Sequence, residues 1–282
     1  MQKVNLVTVV GHNITMLPHM IEHYKNVVDE IHVVVYRQSL TDDILDDILK
    51  LGITPVKVVV EPEFNWEKVT ELYNEIKRTK PNEWWVVSDD DEFHIYPKPI
   101  KELILECEEN DWDFVTGGFI DRIGENGEFP IVEKDSNIWE KFPLAGFFRF
   151  PLSGACPNKV CVMKGYVDVT PGQHYVDFRD GTNSWGTSHP KRYPIGRGEG
   201  LIQVHHFKWD YTCVSRIKAV ADIKKEYAYS SEYELMYDSI KSNDFKIDIN
   251  NPNFLIEKMT PNRSNFFDYT YWNRLSKIIS KI

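Results

Sequence analysis

The chain is short of whatever would staple it, anchor it in a bilayer or charge it positively. Only four cysteines occur in 282 residues (Cys107, Cys156, Cys161 and Cys213), irregularly spaced, and a domain of this size needs no disulfide staples. No pair has C-x2-C spacing, which argues against a structural zinc site, so reduced thiols are expected. No apolar run is long enough to span a bilayer, and the first residues lack a charged-then-apolar leader. A cytoplasmic location is expected, with peripheral membrane contact left open. The formal net charge of −10 argues against a nucleic-acid surface and against a polybasic membrane patch.

Nucleotide-loop signatures are also missing. Gly11 stands alone after the first apolar run, and Gly196, Gly198 and Gly200 do not lie between a strand and a helix. Neither a Gly-x-Gly-x-x-Gly turn nor a P-loop lysine is present. A nucleotide would have to be held through its base and through a metal-bridged diphosphate.

What is present is a strand–helix alternation. Val4 to Val10 reads as a buried strand, Met16 to Val28 as a helix, and Ile31 to Tyr36 as a second strand. Thr41 suits the N-cap of a helix with Ile44, Leu45, Ile48 and Leu49 inward, ended by Gly52. Val56 to Val60, Glu67 to Thr79, and then a Trp84–Val87 strand continue the repeat. This spacing predicts a parallel, three-layer α/β sheet. A helix over Lys98–Glu109 and a strand over Phe114–Ile120 follow. Residues 125–200, rich in Gly, Pro and aromatics, predict long loops over a site, with a hairpin around Lys164-Gly165. Leu201 to Trp209 reads as the last strand. Helices are expected over Val214–Tyr229, Tyr233–Ser242 and Tyr271–Ile282.

The stretch with most chemistry is Trp84-Trp85-Val86-Val87-Ser88-Asp89-Asp90-Asp91-Glu92-Phe93. Four acids end a buried apolar run, at the strand end where parallel sheets open onto a crevice. On an extended backbone Asp89 and Asp91 point to one side, Asp90 and Glu92 to the other. Two such carboxylates suit a divalent ion with oxygen ligands, its spare positions filled by diphosphate. The bland alternative is a solvated acidic turn. An EF-hand is excluded, because its sixth loop position would be His94 instead of glycine.

Arg37, Gln38, Glu61 and Lys68, near the ends of strands two and three, could line a base and ribose pocket, although each alone reads as an ordinary loop residue. His205 and His206 are adjacent on a strand, so only one can face the site. A late imidazole completing an Asp-x-Asp site suits Mn²⁺ better than Mg²⁺, and His174 is a second candidate.

With Asp89-x-Asp91-Glu92-Phe93, then Gly172-x-His174, then His206-Phe207-Lys208-Trp209 in that order, the chain resembles glycosyltransferases with the GT-A fold, most of all their family 2-like and family 92-like group. The resemblance spans roughly residues 3–216 and includes Val9–Tyr24 and Ile120-Asp121-Arg122. Where that group often carries Asn-Glu after the first strand, His12-Asn13 stands here. It implies a three-layer α/β/α, Rossmann-like GT-A fold with a mixed, mainly parallel sheet. It implies a catalytic domain over 1–215 (1–120 for the nucleotide-sugar, 121–215 for the acceptor); the helical pattern beyond it reads as a C-terminal extension over 216–282, whose tail after about 220 the resemblance does not reach. It implies Mn²⁺ or Mg²⁺ on Asp89, Asp91 and His206, with His174 in reserve. Val10, His12, Asp89 and Asp90 join Arg37, Gln38, Glu61 and Lys68 as contacts of a UDP-, GDP- or dTDP-linked donor.

An inverting transfer to a saccharide or glycolipid acceptor, in glycan or polysaccharide synthesis, needs a carboxylate base. Asp121 is the first candidate, Asp180 and Glu199 the next. Trp139, Phe147, Phe148, Trp185 and Tyr193 could stack on an acceptor sugar, although each alone reads better as core. The rival expectations are a nucleotidyltransferase, against which Gly11-His12-Asn13-Ile14 offers no basic residue, and a non-catalytic carbohydrate-binding protein.

Overall fold

The computed structural model describes residues 2–11, 13–178, 189–194, 201–223 and 230–259. The first strand, β1 (Val4–Val10), is buried along its whole length. Its even-numbered residues Val4, Leu6 and Val10 enter one core, and the odd-numbered Val7 and Val9 enter another on the opposite face. A strand apolar on both sides demands cover on both. On one face lie α1 (Leu17–Tyr24), α2 (Ile44–Lys50) and α4 (Ile100–Glu109); on the other lies α3 (Trp66–Arg78). The molecule is thus the three-layer α/β/α arrangement predicted from the sequence.

Strands β2 (Glu30–Arg37) and β3 (Lys57–Val60) extend the sheet outward from β1 in parallel, and β4 (Trp84–Val87) returns to its other side, also parallel. The chain therefore reverses its direction of winding at β1 and β4, and the carboxyl ends of these two strands frame a crevice. β4 is doubly anchored. Trp84 and Val86 join one core and Trp85 and Val87 the other. Both indole N–H groups are satisfied, Trp84 Nε1 by Glu108 Oε1 at 2.7 Å and Trp85 Nε1 by the Lys80 carbonyl at 3.2 Å. Burying two such rings without orphaned donors makes β4 a rigid base for whatever follows it.

Beyond β4 the sheet is mixed. β5 (Glu92–Ile95), β6 (Phe114–Ile123), β7 (Leu144–Gly146), β8 (Asn158–Lys164), β11 (Ile202–His206) and the short β12 (Glu257–Lys258) complete ten strands among the described residues. The order runs β12-β7-β6-β8-β4-β1-β2-β3, with β11 bridging β5 and β6. Two expectations are corrected here. The hairpin about Lys164-Gly165 does not form: β8 lies antiparallel between β4 and β6, while β9 (Asp168–Val169) pairs with β10 (Val176–Asp177). Residues 125–200 are likewise not simply loops, because β8 is a central strand buried along most of its length. Its alternation is masked by burial on both faces, which leaves a continuous apolar run instead of a period of two.

Short helices α5 (Ile138–Lys141) and α6 (Arg149–Ser153) flank β7, and α7 (Cys213–Ile223) and α8 (Ser230–Ser242) share a third core with Ile123, Phe148 and Trp209. The helix expected over residues 271–282 lies outside the described residues. No helix among the described residues is long and apolar enough to cross a membrane.

Thr41 does not cap α2; Asp43 holds the N-cap position, with no side-chain cap bond. Gly52 has the positive φ (+77°) foreseen for the residue after that helix. A tighter constraint sits at Gly117 on β6. A Cβ there would lie 2.5 Å from the Ile202 carbonyl oxygen and 2.8 Å from Cys161 Sγ. Gly117→Ala is expected to cost about 1–3 kcal/mol by forcing β11 away from β6, read as a lower urea midpoint. An unchanged midpoint would refute the account.

Candidate functional site

The acids foreseen on one extended strand are instead split by a turn. β4 stops at Val87 and β5 begins at Glu92. Two bonds close the turn: Glu92 N–H donates to the Asp89 carbonyl at 3.0 Å, and Ser88 Oγ donates to the Glu92 carbonyl at 2.7 Å. Bending the chain here parts the acids: Asp89 and Glu92 share Lys159, Asp91 faces His206, and Asp90 still feels the charges of Asp91 and Asp89.

Asp89 is held from three sides. Tyr73 Oη donates to its Oδ1 at 2.7 Å, Gln173 Nε2 reaches the same oxygen at 3.4 Å, and Lys159 Nζ lies 3.2 Å from Oδ2. Lys159, on β8, is 1% exposed and also reaches Glu92 Oε1 at 2.7 Å, so one buried ammonium braces both ends of the turn. Burial works against the charge on Asp89, but Lys159 and the Tyr73 hydroxyl outweigh it and hold the carboxyl at about 2. Glu92 is more deeply buried, and that burial pushes its carboxyl up to about 8 despite Lys159. Asp90 is half-buried and carries no such brace among the described residues. Burial and then the charges of Asp91 and Asp89 push its carboxyl well above the ordinary range.

The third acid faces a histidine. β11 runs antiparallel to β5 and parallel to β6, in a register that sets His206 opposite Glu92 on one side and opposite Asp121 on the other. Phe207 N–H donates to the Asp91 carbonyl at 2.8 Å, locking the end of β11 to the turn. His206 Nε2 consequently lies 3.8 Å from Asp91 Oδ1, and Nδ1 lies 3.5 Å from Asp121 Oδ1. His205 points the other way, against Gln203 Oε1 and the Trp139 ring.

Asp121 is itself fixed: Oδ2 accepts from the Phe148 and Arg149 N–H groups at 3.2 and 2.9 Å, and Oδ1 from Trp209 Nε1 at 3.1 Å. Burial opposes its charge, yet His206 and Arg149 keep its carboxyl below the usual value. Burial lowers His206, with Asp91 and Asp121 opposing, so the imidazole favours its neutral form. With the proton on Nδ1 toward Asp121, the Nε2 lone pair faces the Asp91 carboxylate, an arrangement that a cation between them would stabilise.

Among the described residues no three His, Cys, Asp or Glu side chains converge into a metal cage. Asp91 and His206 nevertheless fit a shared divalent ion of the kind that takes one or two protein ligands and fills its remaining positions with phosphate oxygens and water. Asp89, engaged by Lys159 and Tyr73, is less available. His174 stands apart, its Nδ1 donating to the Asn158 carbonyl at 2.7 Å, and burial pushes it down to about 3.

Several cations surround the pair. Arg216 Nη1 lies 3.9 Å from Asp91 Oδ2 while its Nη2 is 3.2 Å from Asp210 Oδ1. Arg149 packs its guanidinium 4.5 Å over Phe119, a ring that also lies 4.9 Å from the His206 ring. Tyr73, Lys159, Gln173, Arg149 and Arg216 were not foreseen from the sequence. None of them carried a signal of its own: Lys159 stands after Pro157-Asn158, just before the apolar run Val160–Met163.

Val10 is buried at the end of β1 beside the crevice. Arg37 is committed to its own loop, through Asp42 Oδ1 at 2.9 Å and the Leu40 carbonyl at 2.9 Å. Gln38 is exposed, and Glu61 and Lys68 are half-buried. Trp139, Phe147, Phe148 and Tyr193 are buried, as core-filling rings would be. His12, Asp180, Trp185 and Glu199 lie outside the described residues.

His94, on β5 below the turn, is 1% exposed, and neither ring nitrogen has a hydrogen-bond partner among the described residues. Burial holds its pKa well below the ordinary 6.5. The unfolded chain therefore takes up a proton there that the folded chain refuses. The contribution is fully present above pH 6.5 and is lost as pH falls from that value toward the folded one. His94→Gln is expected to flatten the decline in urea stability between neutral and mildly acidic pH. An identical decline in both proteins would remove His94 from the account.

No family model matches the chain, and no curated protein does. Solved structures with some likeness include mannose-6-phosphate isomerase from Helicobacter pylori (13% identity, 58% of this chain and 71% of that one, TM-score 0.31). A 4-diphosphocytidyl-2C-methyl-D-erythritol synthase has 13% identity over 58% of this chain and 76% of that one, with a TM-score of 0.32. S. aureus TarS has 11% identity over 84% of this chain and 43% of that one, with a TM-score of 0.31. Likenesses this distant carry no argument about the site, which rests on its own geometry.

Proposed function

We propose that the chain is a metal-assisted, inverting glycosyltransferase that moves a sugar from a nucleotide-diphosphate donor to a saccharide or glycolipid acceptor. The observation that supports this most is the facing pair of Asp91 and His206 at the open end of β4, with Asp121 behind the imidazole. A divalent ion, Mn²⁺ or Mg²⁺, held by these two residues would supply Lewis-acid stabilisation of the departing diphosphate. Asp121, 3.5 Å from His206 Nδ1, would orient the imidazole through its charge, a positioning role that suits a carboxylate already accepting three hydrogen bonds. Asp180 and Glu199 are then the carboxylates proposed to take the acceptor proton. Asp89, fixed by Tyr73 and Lys159, would meet the donor ribose or sugar. Residues 1–120 would supply the donor side, 121–215 the acceptor side and 216–282 a helical extension.

The test is a panel of UDP-, GDP- and dTDP-sugars, with and without Mn²⁺. Thermal stabilisation by one nucleotide class that requires the metal, with slow release of nucleoside diphosphate, is the expected result. Stabilisation by free sugars with no nucleotide effect would favour a carbohydrate-binding protein. Release of pyrophosphate from a nucleoside triphosphate and a sugar phosphate would favour nucleotidyl transfer.

A further inference from the structure

Arg149 is half-buried at the heart of the site, yet no carboxylate among the described residues lies within ion-pair range of its guanidinium. The one side-chain hydrogen bond it makes among them runs from Nη2 to the Cys156 carbonyl at 3.1 Å. A guanidinium carries five N–H donors in a fixed fork, and most of this one's have no partner among the described residues. Its face rests on Phe119, with Cζ 4.5 Å from the ring centre. The same ring lies 4.9 Å from the His206 ring and 6.3 Å from the His174 ring. Phe119 thus contacts both the guanidinium and the imidazole that faces Asp91.

Lys208, two residues after His206, is a second half-buried cation without a carboxylate in ion-pair range among the described residues. Its Nζ lies 3.4 Å from Tyr233 Oη and 4.6 Å from that ring's centre. Glu232, on α8, feels both cations from beyond ion-pair range, and burial still pushes its carboxyl up. Asp121 also feels the Arg149 charge. In a chain of net charge −10, two half-buried cations with no ion-pair partner among the described residues point to an anionic ligand.

We propose that Arg149, assisted by Lys208, is the seat for the terminal phosphate of a diphosphate ligand, the group that departs in the transfer proposed above, on which this inference rests. As the acceptor oxygen bonds to the sugar C1, the C1–O bond to the β-phosphate breaks and its electron pair stays on that phosphate oxygen. The acceptor proton passes to the carboxylate base. Arg149 N–H groups donate to the phosphate oxygens that gain the charge.

The test uses inorganic pyrophosphate as the probe and the full chain in chelator at low salt, by titration calorimetry. Arg149→Met keeps the packing on Phe119 and the backbone N–H bond to Asp121. It is expected to weaken pyrophosphate binding roughly 10- to 100-fold at an unchanged melting temperature. Arg149→Lys should fall between, because it keeps the charge and loses the fork. If Arg149→Met does not fold, Lys208→Met supplies the second reading, with a smaller loss expected. Unchanged affinity in a folded Arg149→Met or in Lys208→Met, or no pyrophosphate binding by the parent protein, overturns the assignment. Neither outcome depends on sugar turnover: Arg149-dependent pyrophosphate binding without nucleotide-sugar turnover would sink the transferase reading alone. Metal-dependent turnover unaffected by Arg149→Met would sink this inference alone.

Discussion

Asp91→Asn is expected to lower nucleotide-sugar turnover by on the order of 10²- to 10³-fold, the usual cost of removing one preorganised group that stabilises developing charge. Asp91 is the acid of the turn that faces His206. Its Oδ1 looks across 3.8 Å to His206 Nε2, and its nearest permanent cation among the described residues, Arg216, stays 3.9 Å away and leans on Asp210. The amide keeps the shape and loses the charge, so the melting temperature should stay close to the parent's. The Mn²⁺ concentration giving half-maximal rate should rise. The measurement is nucleoside diphosphate release as a function of Mn²⁺, beside Asp89→Asn as a comparison. A smaller metal effect is expected at Asp89, because Lys159 already neutralises it. Should Asp91→Asn turn over donor as the parent does, the ion does not sit where proposed.

The second large effect concerns the fold itself. Lys159→Met is expected to destabilise the protein by about 3 kcal/mol, the lower end of what breaking a buried ion pair costs when its partner is stranded. Lys159 and Glu92 are each 1% exposed, with Nζ 2.7 Å from Oε1. The variant leaves Glu92 and Asp89 without their shared counter-charge. The lower end applies because Glu92, already pushed up to about 8, can take a proton and shed part of the stranded charge. Adding Glu92→Gln to Lys159→Met should recover part of the loss, since no carboxyl then remains to be neutralised at that position. Urea denaturation of the single and double variants measures both effects. A single variant as stable as the parent, or a double variant no better than the single, contradicts the bracing role given to Lys159.

How far the sequence could be read depends on the kind of signal. β1, β2 and α3 lie close to the bounds their periodicity suggested, because a two-sided apolar strand and an amphipathic helix are local patterns. β8 was legible as an apolar run but not as a partner of β4 and β6, since pairing is settled by packing between residues far apart in the chain. The acids were visible, yet their division into a braced Asp89, an Asp91 facing His206 and an inward Glu92 depends on Tyr73, Gln173 and Lys159, none of which any motif singles out. The meeting of His206 with Asp91 and Asp121 follows from the register of β11 between β5 and β6, which a single sequence leaves open.

The place of β8 bears on how the molecule comes into being at the ribosome. The strand that leads into the acids, β4, has one neighbour from the first half of the chain, and its other flank waits for residues 158–164. Until they emerge, the nascent chain holds β4 and β6 with bare backbone edges, a template for mispairing with other chains. A fragment ending near residue 120 should therefore self-associate instead of folding as a small nucleotide-binding unit, and chaperone capture would be concentrated before β8 is made.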